Sequence, residues 1–348
     1  MKACVTGASG YLGTHLVEQL LMEGWCVTAF DLQKSIRLPE DVHFISGDIR
    51  DAQKVKEAAK GCDVIFHLVG IMPQAKANAK LMQDINVGGT ENVLKSAVQN
   101  KIKRVVFLSS SEVYGRHHRS PVKEDGEKHP LGEYGRNKLQ AEGLCLKYAE
   151  KHGLEVVILR PSTIVGENMT DFLMRGLLHA ALNFPVLFTI GNGKAKFQMS
   201  GLNDVLQACV LAAAKDGVSG EAFNIGAEDV PSMKEQMRAL SEKLGVKKLY
   251  VPLPAGLTKK ILRALHRMNV SPLVPDHFEL MDEDVVMDCE KAKKLLGWTP
   301  GTGNVDMLWQ ALQSYRTETQ LRKTGKPCAT VNAAHENNYG EKIKRRAL

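Results

Sequence analysis

The amino-acid sequence predicts an α/β protein built on a doubly wound parallel sheet, with a smaller C-terminal lobe that is interleaved with the sheet. Two observations support this prediction. In the first half of the chain, short apolar runs rich in branched side chains alternate with segments of helical periodicity, as in parallel strands joined by helices. After Pro161 the alternation loosens, and proline clusters at Pro252/Pro254 and Pro272/Pro275 indicate loops.

The individual elements follow from the same criteria. The expected buried strands are Ala3–Val5, Cys26–Phe30, His43–Ser46, Val64–Leu68, Val105–Leu108, Glu155–Leu159 and, farther along, Ala222–Ile225. The expected helices are Leu12–Glu23, Ala52–Ala59, Thr90–Gln99, Tyr134–Lys151, Asp171–Leu182, Leu202–Ala214 and Met233–Leu244. We therefore assign residues 1–165 to a first domain, to which the chain returns near 198–226, and residues 166–197 and 227–318 to the second lobe.

Composition excludes several classes of protein. Residues 319–348 contain seven Lys or Arg and two Glu without periodicity, so most of the net charge of +7 lies in what we expect to be a disordered basic tail. The nearly neutral remainder argues against nucleic-acid binding. The seven cysteines are scattered, which indicates reduced thiols in a cytoplasmic protein. The apolar stretch Leu177–Ile190 is interrupted by polar residues, and His117-His118 lacks a suitably spaced third ligand, so neither a membrane-spanning helix nor a metal site is expected.

A glycine-rich segment, VTGASGYLG, lies between the first predicted strand and the first predicted helix. Its glycines are Gly7, Gly10 and Gly13. Glycine lets backbone N–H groups approach a pyrophosphate, which the helix N-terminus then stabilises. Asp31 ends the second strand, where its carboxylate could accept hydrogen bonds from an adenosine ribose and repel a 2′-phosphate. This arrangement predicts NAD, with NADP as an alternative because Lys34 and Arg37 lie nearby.

Tyr134 and Lys138 are four residues apart on a predicted helix and therefore share one face. An ammonium group about 4 Å from a phenol would lower the pKa of the phenol towards the range useful for proton transfer. The segment Ser109-Ser-Ser-Glu-Val-Tyr-Gly115 follows the fifth predicted strand and would bring hydroxyl groups to the same sheet edge. The alternative for the Tyr–Lys pair alone is an ordinary surface contact.

Further motifs accompany these in a characteristic order: TGASGYLG, GDIRD, HLVG, NVGGT, SSSEVYG, YGRNK, RPS and LGWTP. In this combination the chain resembles the extended short-chain dehydrogenase/reductases, the NAD-dependent epimerase/dehydratase family, over roughly residues 1–315. The resemblance implies a Rossmann-type first domain, a substrate-binding second lobe and a small-molecule substrate. It also implies a homodimer formed through the helices at Thr90–Gln99 and Tyr134–Lys151.

The resemblance implies roles for individual residues. Tyr134 would be the general acid/base, Lys138 would hold the nicotinamide ribose, and Ser110 would orient the reacting oxygen. The residues implied to bind the cofactor are Gly7, Ser9, Gly10, Tyr11, Leu12, Gly13, Asp31, Asp48, Ile49, Leu68, Val69, Asn86, Ser109, Tyr134, Lys138, Pro161, Thr163 and Ile164.

Glu112 is a further catalytic candidate. In an extended backbone Ser110 and Glu112, two residues apart, would face the same pocket. Sugar-nucleotide dehydratases and decarboxylases of the family carry an acidic residue at this place, and the alternative is a glutamate that only fixes the loop. Thr163 stands where many sugar-nucleotide enzymes have Asn, and Phe197 where many have Arg. The segment Ile190–Lys194 instead resembles 3β-hydroxysteroid-dehydrogenase-like relatives.

We therefore expect an oxidoreductase of the epimerase/dehydratase type that acts at a carbinol or ketone carbon of a nucleotide-sugar. The alternatives are a dehydrogenase or reductase of an apolar alcohol or ketone, and a non-catalytic NAD-binding subunit, which would not need the trio of Ser110, Tyr134 and Lys138. The basic amphipathic segment Leu257–Met268 could contact a membrane surface. We favour inward packing over the substrate pocket for this segment.

Overall fold

The structure is a computed structural model that describes residues 1–72, 78–116, 119–268, 270, 273 and 275–323. Its strands are β1 (Lys2–Thr6), β2 (Cys26–Asp31), β3 (His43–Ser46), β4 (Val64–His67), β5 (Arg104–Leu108), β6 (Glu155–Pro161), β7 (Thr163–Val165), β8 (Val186–Ile190), β9 (Met199–Gly201), β10 (Ala222–Ile225) and β11 (Leu249–Leu253). Its helices are α1 (Tyr11–Met22), α2 (Ala52–Ala58), α3 (Ala79–Gln83), α4 (Gly89–Gln99), α5 (Glu133–His152), α6 (Phe172–Asn183), α7 (Leu202–Ala214), α8 (Met233–Lys243), α9 (Ala255–Arg267), α10 (Pro275–Phe278) and α11 (Asn304–Lys323).

The large sheet has seven parallel strands in the order β10-β6-β5-β4-β1-β2-β3. The chain starts in the middle, adds β2 and β3 on one side, and then adds β4, β5 and β6 on the other. The order therefore reverses between β1 and β4, which pair from Ala3–Val64 to Thr6–His67. Ligands of such sheets bind beyond the carboxyl ends of the strands at this reversal. The predicted doubly wound parallel sheet is confirmed.

Helices cover both faces of the sheet. Apolar side chains of α1 and α7 pack on one face, and those of α2, α4 and α5 pack on the other. The central strands are consequently buried on both sides, as all four residues of β4 show. This double burial explains why the sequence shows continuous apolar runs there rather than alternation.

Some elements were absent from the sequence-based prediction. A π-helical turn, Asp84–Gly88, joins α3 to α4, and such a turn interrupts the 3.6-residue period on which helix prediction depends. Two small parallel sheets, β7 with β9 and β8 with β11, lie outside the large sheet. Strands β7 and β9 have only three residues each, too few to display a strand pattern.

A late segment of the chain completes the core of the first domain. Cys289, Ala292, Leu296 and Trp298 are buried in the same apolar cluster as the inner faces of α1 and α7. The indole Nε1 of Trp298 donates a hydrogen bond of 2.8 Å to the carbonyl oxygen of Asp204 in α7. This segment belongs by sequence to the range that we assigned to the second lobe, but its side chains pack against the sheet domain.

The expected start of the tail at Thr319 is wrong, because α11 continues to Lys323. Glu318 near the end of this helix is buried and pairs with Arg175 of α6 at 2.9 Å, which fixes the last turns to the second lobe. The Oγ1 of Thr319 donates to the carbonyl of Tyr315 within the same helix. The remainder of the tail, including the cluster Lys342–Arg346, lies outside the described residues.

The inward packing that we favoured for the amphipathic segment is contradicted in part, although Leu262 and Leu265 are half-buried. In α9 the side chains of Leu257 and Ile261 are 58% and 50% exposed, whereas Lys259 is only 8% exposed. The reason is electrostatic, because Lys259 forms an ion pair with Asp282 on the inner side of the helix. Across the part of the chain that the structure describes, no helix combines the length and apolar character needed to cross a bilayer.

Candidate active site

The glycine turn, residues 7–13, packs tightly against the ends of β2 and β4. Gly7 has a left-handed backbone, with φ of +77°, and its N–H donates to the carbonyl of Phe30 at 3.0 Å. A Cβ on Gly7 would lie 3.0 Å from the backbone nitrogen of Val69. A Cβ on Gly13 would lie 2.0 Å from the carbonyl oxygen of Gly7. Only glycine therefore fits at Gly13 without movement of the turn.

Asp31 ends β2 directly beside this turn, as predicted. Its Oδ2 accepts a hydrogen bond of 3.0 Å from the backbone N–H of Ser9, and its Oδ1 accepts one of 2.7 Å from Leu32. The hydroxyl of Ser9 donates to the carbonyl of Gln33 at 2.6 Å. The Asp31 carboxylate is thus positioned at the same edge of the sheet as the glycine turn.

The first residues of α1 also connect the turn to the second lobe. The hydroxyl of Tyr11 donates to the carbonyl of Glu167 at 3.0 Å, and burial raises the pKa of this phenol. Leu12 is buried in the core between α1 and the sheet. The side chain of Leu12 thus serves packing, and a predicted cofactor contact at this residue would have to come from its backbone.

Asp48 and Ile49 follow β3, and each makes contacts with neighbouring residues. The carboxylate of Asp48 binds Arg50 through two hydrogen bonds of 3.0 and 2.7 Å. Ile49 is buried, and a Cβ on Gly89 would lie 2.8 Å from its Cγ2. This close packing places the segment after β3 against the start of α4, near the sheet edge that carries Asp31.

Leu68 and Val69 continue β4 towards the glycine turn, and Asn86 holds the loop that follows them. The side-chain amide of Asn86 exchanges two hydrogen bonds with the backbone of Ile71, at 2.7 and 3.0 Å. Asn86 belongs to the π-helical turn between α3 and α4. A Cβ on Gly70, in the same loop, would lie 3.3 Å from the Nζ of Lys138.

Tyr134 and Lys138 lie on the first two turns of α5, and both are buried. The Nζ of Lys138 donates a hydrogen bond of 2.7 Å to the carbonyl of Leu108 at the end of β5. The same atom is 5.7 Å from the centre of the Tyr134 ring. Burial lowers the pKa of Lys138 to about 8, which brings this ammonium close to titration near neutral pH.

The expected lowering of the tyrosine pKa is wrong for this structure. Burial raises the pKa of Tyr134, and the nearby carboxylate of Glu112 raises it further. The ammonium of Lys138 donates its hydrogen bond to the carbonyl of Leu108, and burial and the carboxylate of Glu112 set the pKa of the phenol. Desolvation of the phenolate therefore dominates, and Tyr134 is held in its protonated form.

Ser110 and Glu112 are brought to the site by a turn rather than by an extended strand. Residues Ser111–Val113 form one 3₁₀ turn, and the Oγ of Ser110 caps it by accepting the N–H of Glu112 at 3.2 Å. The argument from strand alternation was therefore wrong in its geometry. The turn packs directly under α5, since a Cβ on Gly135 would lie 2.5 Å from the carbonyl of Glu112. Glu112 consequently lies near Tyr134.

The segment after β6 closes the opposite side of the site. Pro161 ends β6. The N–H of the next residue, Ser162, donates a hydrogen bond of 2.9 Å to the hydroxyl of Ser200, and the two hydroxyls share a hydrogen bond of 2.8 Å. Thr163 and Ile164 are half-buried and pair with Met199 and Ser200 as β7 and β9. These residues lie beyond the carboxyl end of a strand adjacent to β5, as their predicted role requires.

Comparison with known proteins agrees with this geometry. Residues 3–226 match the family model described as the NAD dependent epimerase/dehydratase family. The chain belongs to this family. The prediction of an NAD-dependent enzyme from the extended short-chain dehydrogenase/reductases is thereby confirmed.

Individual relatives act on chemically different substrates. The chain is 30% identical to the sterol-4-alpha-carboxylate 3-dehydrogenase, decarboxylating, of Homo sapiens, over 90% of this chain and 88% of the relative. It is 33% identical to the UDP-N-acetyl-alpha-D-glucosaminuronate decarboxylase of Bacillus cytotoxicus, over 67% of this chain and 78% of the relative. Among solved structures, MoeE5 in complex with UDP-glucose and NAD is similar, with a TM-score of 0.75, 26% identity and coverage of 92% of this chain and all of that chain.

The structure of this family member also contains a buried network that the sequence reasoning missed. The carboxylate of Glu142 accepts a hydrogen bond of 2.6 Å from the hydroxyl of Ser109 and binds Arg160 at 2.7 and 2.8 Å. Arg160 also donates to the hydroxyl of Tyr114 at 2.8 Å. The spacing contains a signal, since Glu142 follows Lys138 by one helical turn on α5.

This network limits how Ser109 could contact a cofactor. Its side chain is buried, its hydroxyl donates to Glu142 and its N–H donates to Leu159, so a predicted cofactor contact would be left to its carbonyl oxygen. Tyr134, Lys138, Glu112 and the glycine turn do meet at one edge of the sheet. The pair His117-His118 lies outside the described residues.

Proposed function

We propose that this enzyme transfers a hydride between NAD and a secondary alcohol or ketone carbon of its substrate, with Tyr134 as general acid/base. The observation that supports this role is the placement of Tyr134 and Lys138 on the first turns of α5, facing the loop after β4 and the end of β5. Ser110 would orient the reacting oxygen from the turn below. Burial keeps Tyr134 protonated, so its hydroxyl has a proton to donate to a carbonyl oxygen.

The residues present fit NAD. The close contact at Gly13 holds the N-terminus of α1 against the glycine turn, and this helix N-terminus would stabilise a pyrophosphate. The carboxylate of Asp31 would accept hydrogen bonds from the hydroxyls of the adenosine ribose, which favours NAD over NADP. When bound, NAD supplies or accepts the hydride. Lys138 would bind the nicotinamide ribose beside Gly70.

In the direction of ketone reduction, the Tyr134 hydroxyl would give its proton to the carbonyl oxygen of the substrate while the hydride reaches the carbon. In the opposite direction, Tyr134 would take the proton from the alcohol. The negative charge that develops on the phenol oxygen would be balanced by the ammonium of Lys138. Glu112 would act on a second position of the substrate, as the acidic residue at this place does in sugar-nucleotide dehydratases and decarboxylases of the family, and the alternative is a glutamate that only fixes the loop.

Nucleotide-sugars remain the first candidate class of substrate. This choice is supported by the relatives that act on or bind UDP-sugars, including the Bacillus cytotoxicus decarboxylase and MoeE5. In such an enzyme the hydride would return to the same substrate, so that NAD is regenerated within one turnover and stays bound.

An apolar alcohol or ketone is the second candidate, and a specific observation favours it. Phe197 packs against the apolar core of the second lobe, at the place where we expected many sugar-nucleotide enzymes to have Arg. The nearest cations in the chain, Lys194 and Lys196, are both exposed. The human sterol relative, which covers most of the chain, supports the same candidate.

We also infer a homodimer in a reducing, cytoplasmic setting. Support for the dimer comes from Leu146, which is 45% exposed on α5, one of the two helices implied by the family resemblance. Support for reducing conditions comes from the free cysteines among the described residues, of which only Cys26 is exposed. Sedimentation of the purified enzyme would test the oligomeric state.

The first experiment measures what the purified protein carries, by mass spectrometry and absorbance after denaturation. Stoichiometric NAD would support the internal hydride cycle of a sugar-nucleotide enzyme. Weak, exchangeable binding of added NADH would support the apolar substrate class. Turnover assays would then be run with UDP-sugars and with sterol-like ketones.

The catalytic assignment is tested by Tyr134→Phe, with Tyr148→Phe on the same helix as the matched control. Tyr134→Phe should lower kcat by about 10²–10⁴-fold while NAD binding is retained, because only the transferable proton is lost. Tyr148→Phe should leave both quantities unchanged. Wild-type turnover by Tyr134→Phe would contradict the proposed mechanism.

A further inference from the structure

Helix α9 exposes part of its apolar side to solvent, while Leu262 and Leu265 are half-buried. Its outward stripe consists of Leu257, Ile261, Ala264 and Met268, spaced by four, three and four residues and therefore aligned along one side of the helix. Leu257 is 58% exposed, Ile261 50% and Met268 68%, and Ala264 is exposed as well. A surface helix normally turns such a stripe inward, so this orientation needs a physical cause.

Ion pairs on the opposite side of α9 supply that cause. Lys259 is buried and pairs with Asp282, and Arg263 pairs with Glu279 through two hydrogen bonds. The bound guanidinium lowers the pKa of Glu279. Rotating α9 to bury the outward stripe would break both ion pairs and leave Asp282 without Lys259. These ion pairs therefore hold the outward stripe at the surface.

The strand pair that precedes α9 adds apolar surface. The register of β8 with β11 aligns Phe188 with Val251 and Val186 with Leu249, so these residues share one side of the small sheet. Phe188 is 66% exposed and Leu249 is 61% exposed. Because α9 begins two residues after β11, the chain from Leu249 to Val270 exposes apolar groups along its length.

The charge of this segment identifies what would cover it. Residues 249–270 contain Lys259, Lys260, Arg263 and Arg267 and no Asp or Glu. Lys260 and Arg267 are exposed, and their positions on the helix place them along one flank of the outward stripe. A second copy of the chain would bring like charges together across a symmetric interface. An anionic lipid surface complements both the apolar stripe and the cations.

We propose that α9 docks this enzyme on anionic membrane surfaces. The outward stripe enters the boundary between headgroups and acyl chains, while Lys260 and Arg267 contact the anionic headgroups. The helix lies in the plane of the surface and does not cross the bilayer. Docking is a property of the second lobe and is independent of the chemistry proposed for Tyr134.

The docked helix is connected to the active site. Arg116, which follows the turn that carries Glu112, pairs with Glu283 at 3.4 Å and approaches Glu279 at 4.0 Å. Glu279 in turn binds Arg263 of α9. Glu279 thus connects α9 to the segment that follows Glu112.

The test is co-sedimentation of the full-length protein with vesicles of phosphatidylcholine containing about 30% phosphatidylserine, compared with pure phosphatidylcholine. Wild-type protein should sediment with the anionic vesicles, and salt at about 0.5 M should weaken this binding. The double variant Leu257→Asp/Ile261→Asp should bind about tenfold or more weakly, because it places carboxylates in the outward stripe. Lys260→Glu/Arg267→Glu should reduce binding to anionic vesicles by a similar factor.

The matched control is Met22→Asp, which changes another highly exposed apolar residue far along the chain from α9. It should bind vesicles like wild type, and circular dichroism and turnover should confirm that all variants fold. Failure of the wild-type protein to sediment with anionic vesicles would overturn the proposal. Equal loss of binding in Met22→Asp would also overturn it. A wild-type oligomer that Leu257→Asp/Ile261→Asp converts to monomers, without vesicle binding, would assign the stripe to a second copy instead.

Discussion

Replacement of Gly13 by alanine provides the sharpest test of the proposed cofactor site. The added Cβ would lie 2.0 Å from the carbonyl oxygen of Gly7 and 2.8 Å from the Cα of Ala8. The turn would have to retreat by about 1 Å to restore ordinary contact distances. Gly7 is bound to β2 through its hydrogen bond to Phe30, so this retreat strains or breaks a buried contact.

The expected magnitude follows from opposing effects. Replacing glycine by alanine inside a helix ordinarily stabilises it by about 1 kcal/mol. Overpacking at a buried backbone costs about 1–3 kcal/mol, and a lost buried hydrogen bond costs about 1 kcal/mol more. Gly13→Ala should therefore lower the free energy of unfolding by about 1–3 kcal/mol. NAD affinity should fall about tenfold or more, because the N–H groups of the turn move away from the pyrophosphate.

Gly176→Ala in α6 is the matched control, because a Cβ there would have no other atom within 4 Å outside the helix backbone. This variant should be as stable as wild type or slightly more stable, and it should bind NAD normally. Urea unfolding and fluorescence titration with NADH measure the two quantities. If Gly13→Ala were stabilised like Gly176→Ala and bound NADH with wild-type affinity, the argument from close packing of the turn would be refuted.

Other outcomes follow from the charged residues of the site. The wild-type free energy of unfolding should rise between about pH 8 and 10.5, because the folded chain releases the Lys138 proton near pH 8 whereas the unfolded chain holds it up to about pH 10.5. Lys138→Met should abolish this rise, as measured by urea titration without NAD. Glu142→Gln should lower the free energy of unfolding by about 3–5 kcal/mol, because Arg160 stays buried without its carboxylate partner. Glu91→Gln, which removes an exposed ion pair, should lower it by less than about 0.5 kcal/mol. Similar losses in both variants would contradict this reasoning. Asp31→Asn should weaken NAD binding about tenfold and narrow the preference over NADP, and an unchanged ratio of the two dissociation constants would remove Asp31 from the ribose site.

Much of the fold and site could be predicted because the signals are local. Short stretches of sequence are enough to show the glycine spacing, the doubly buried strands and the four-residue interval between Tyr134 and Lys138. The raised pKa of Tyr134 could not be predicted, because it depends on burial by segments far apart in the chain. The same holds for α9, because periodicity shows that a helix has two sides but not which side the ion pair of Lys259 turns inward.

The burial of Trp298 among the side chains of α1 and α7 has a consequence for how the protein is made. The glycine turn is synthesised well before Trp298, and the core behind it stays incomplete until Trp298 has been added. A nascent chain ending at residue 226, where the family match stops, would leave apolar residues of the first-domain core exposed to water. The first domain therefore completes its core only after Trp298 has been synthesised, although most of its strands and helices precede residue 226.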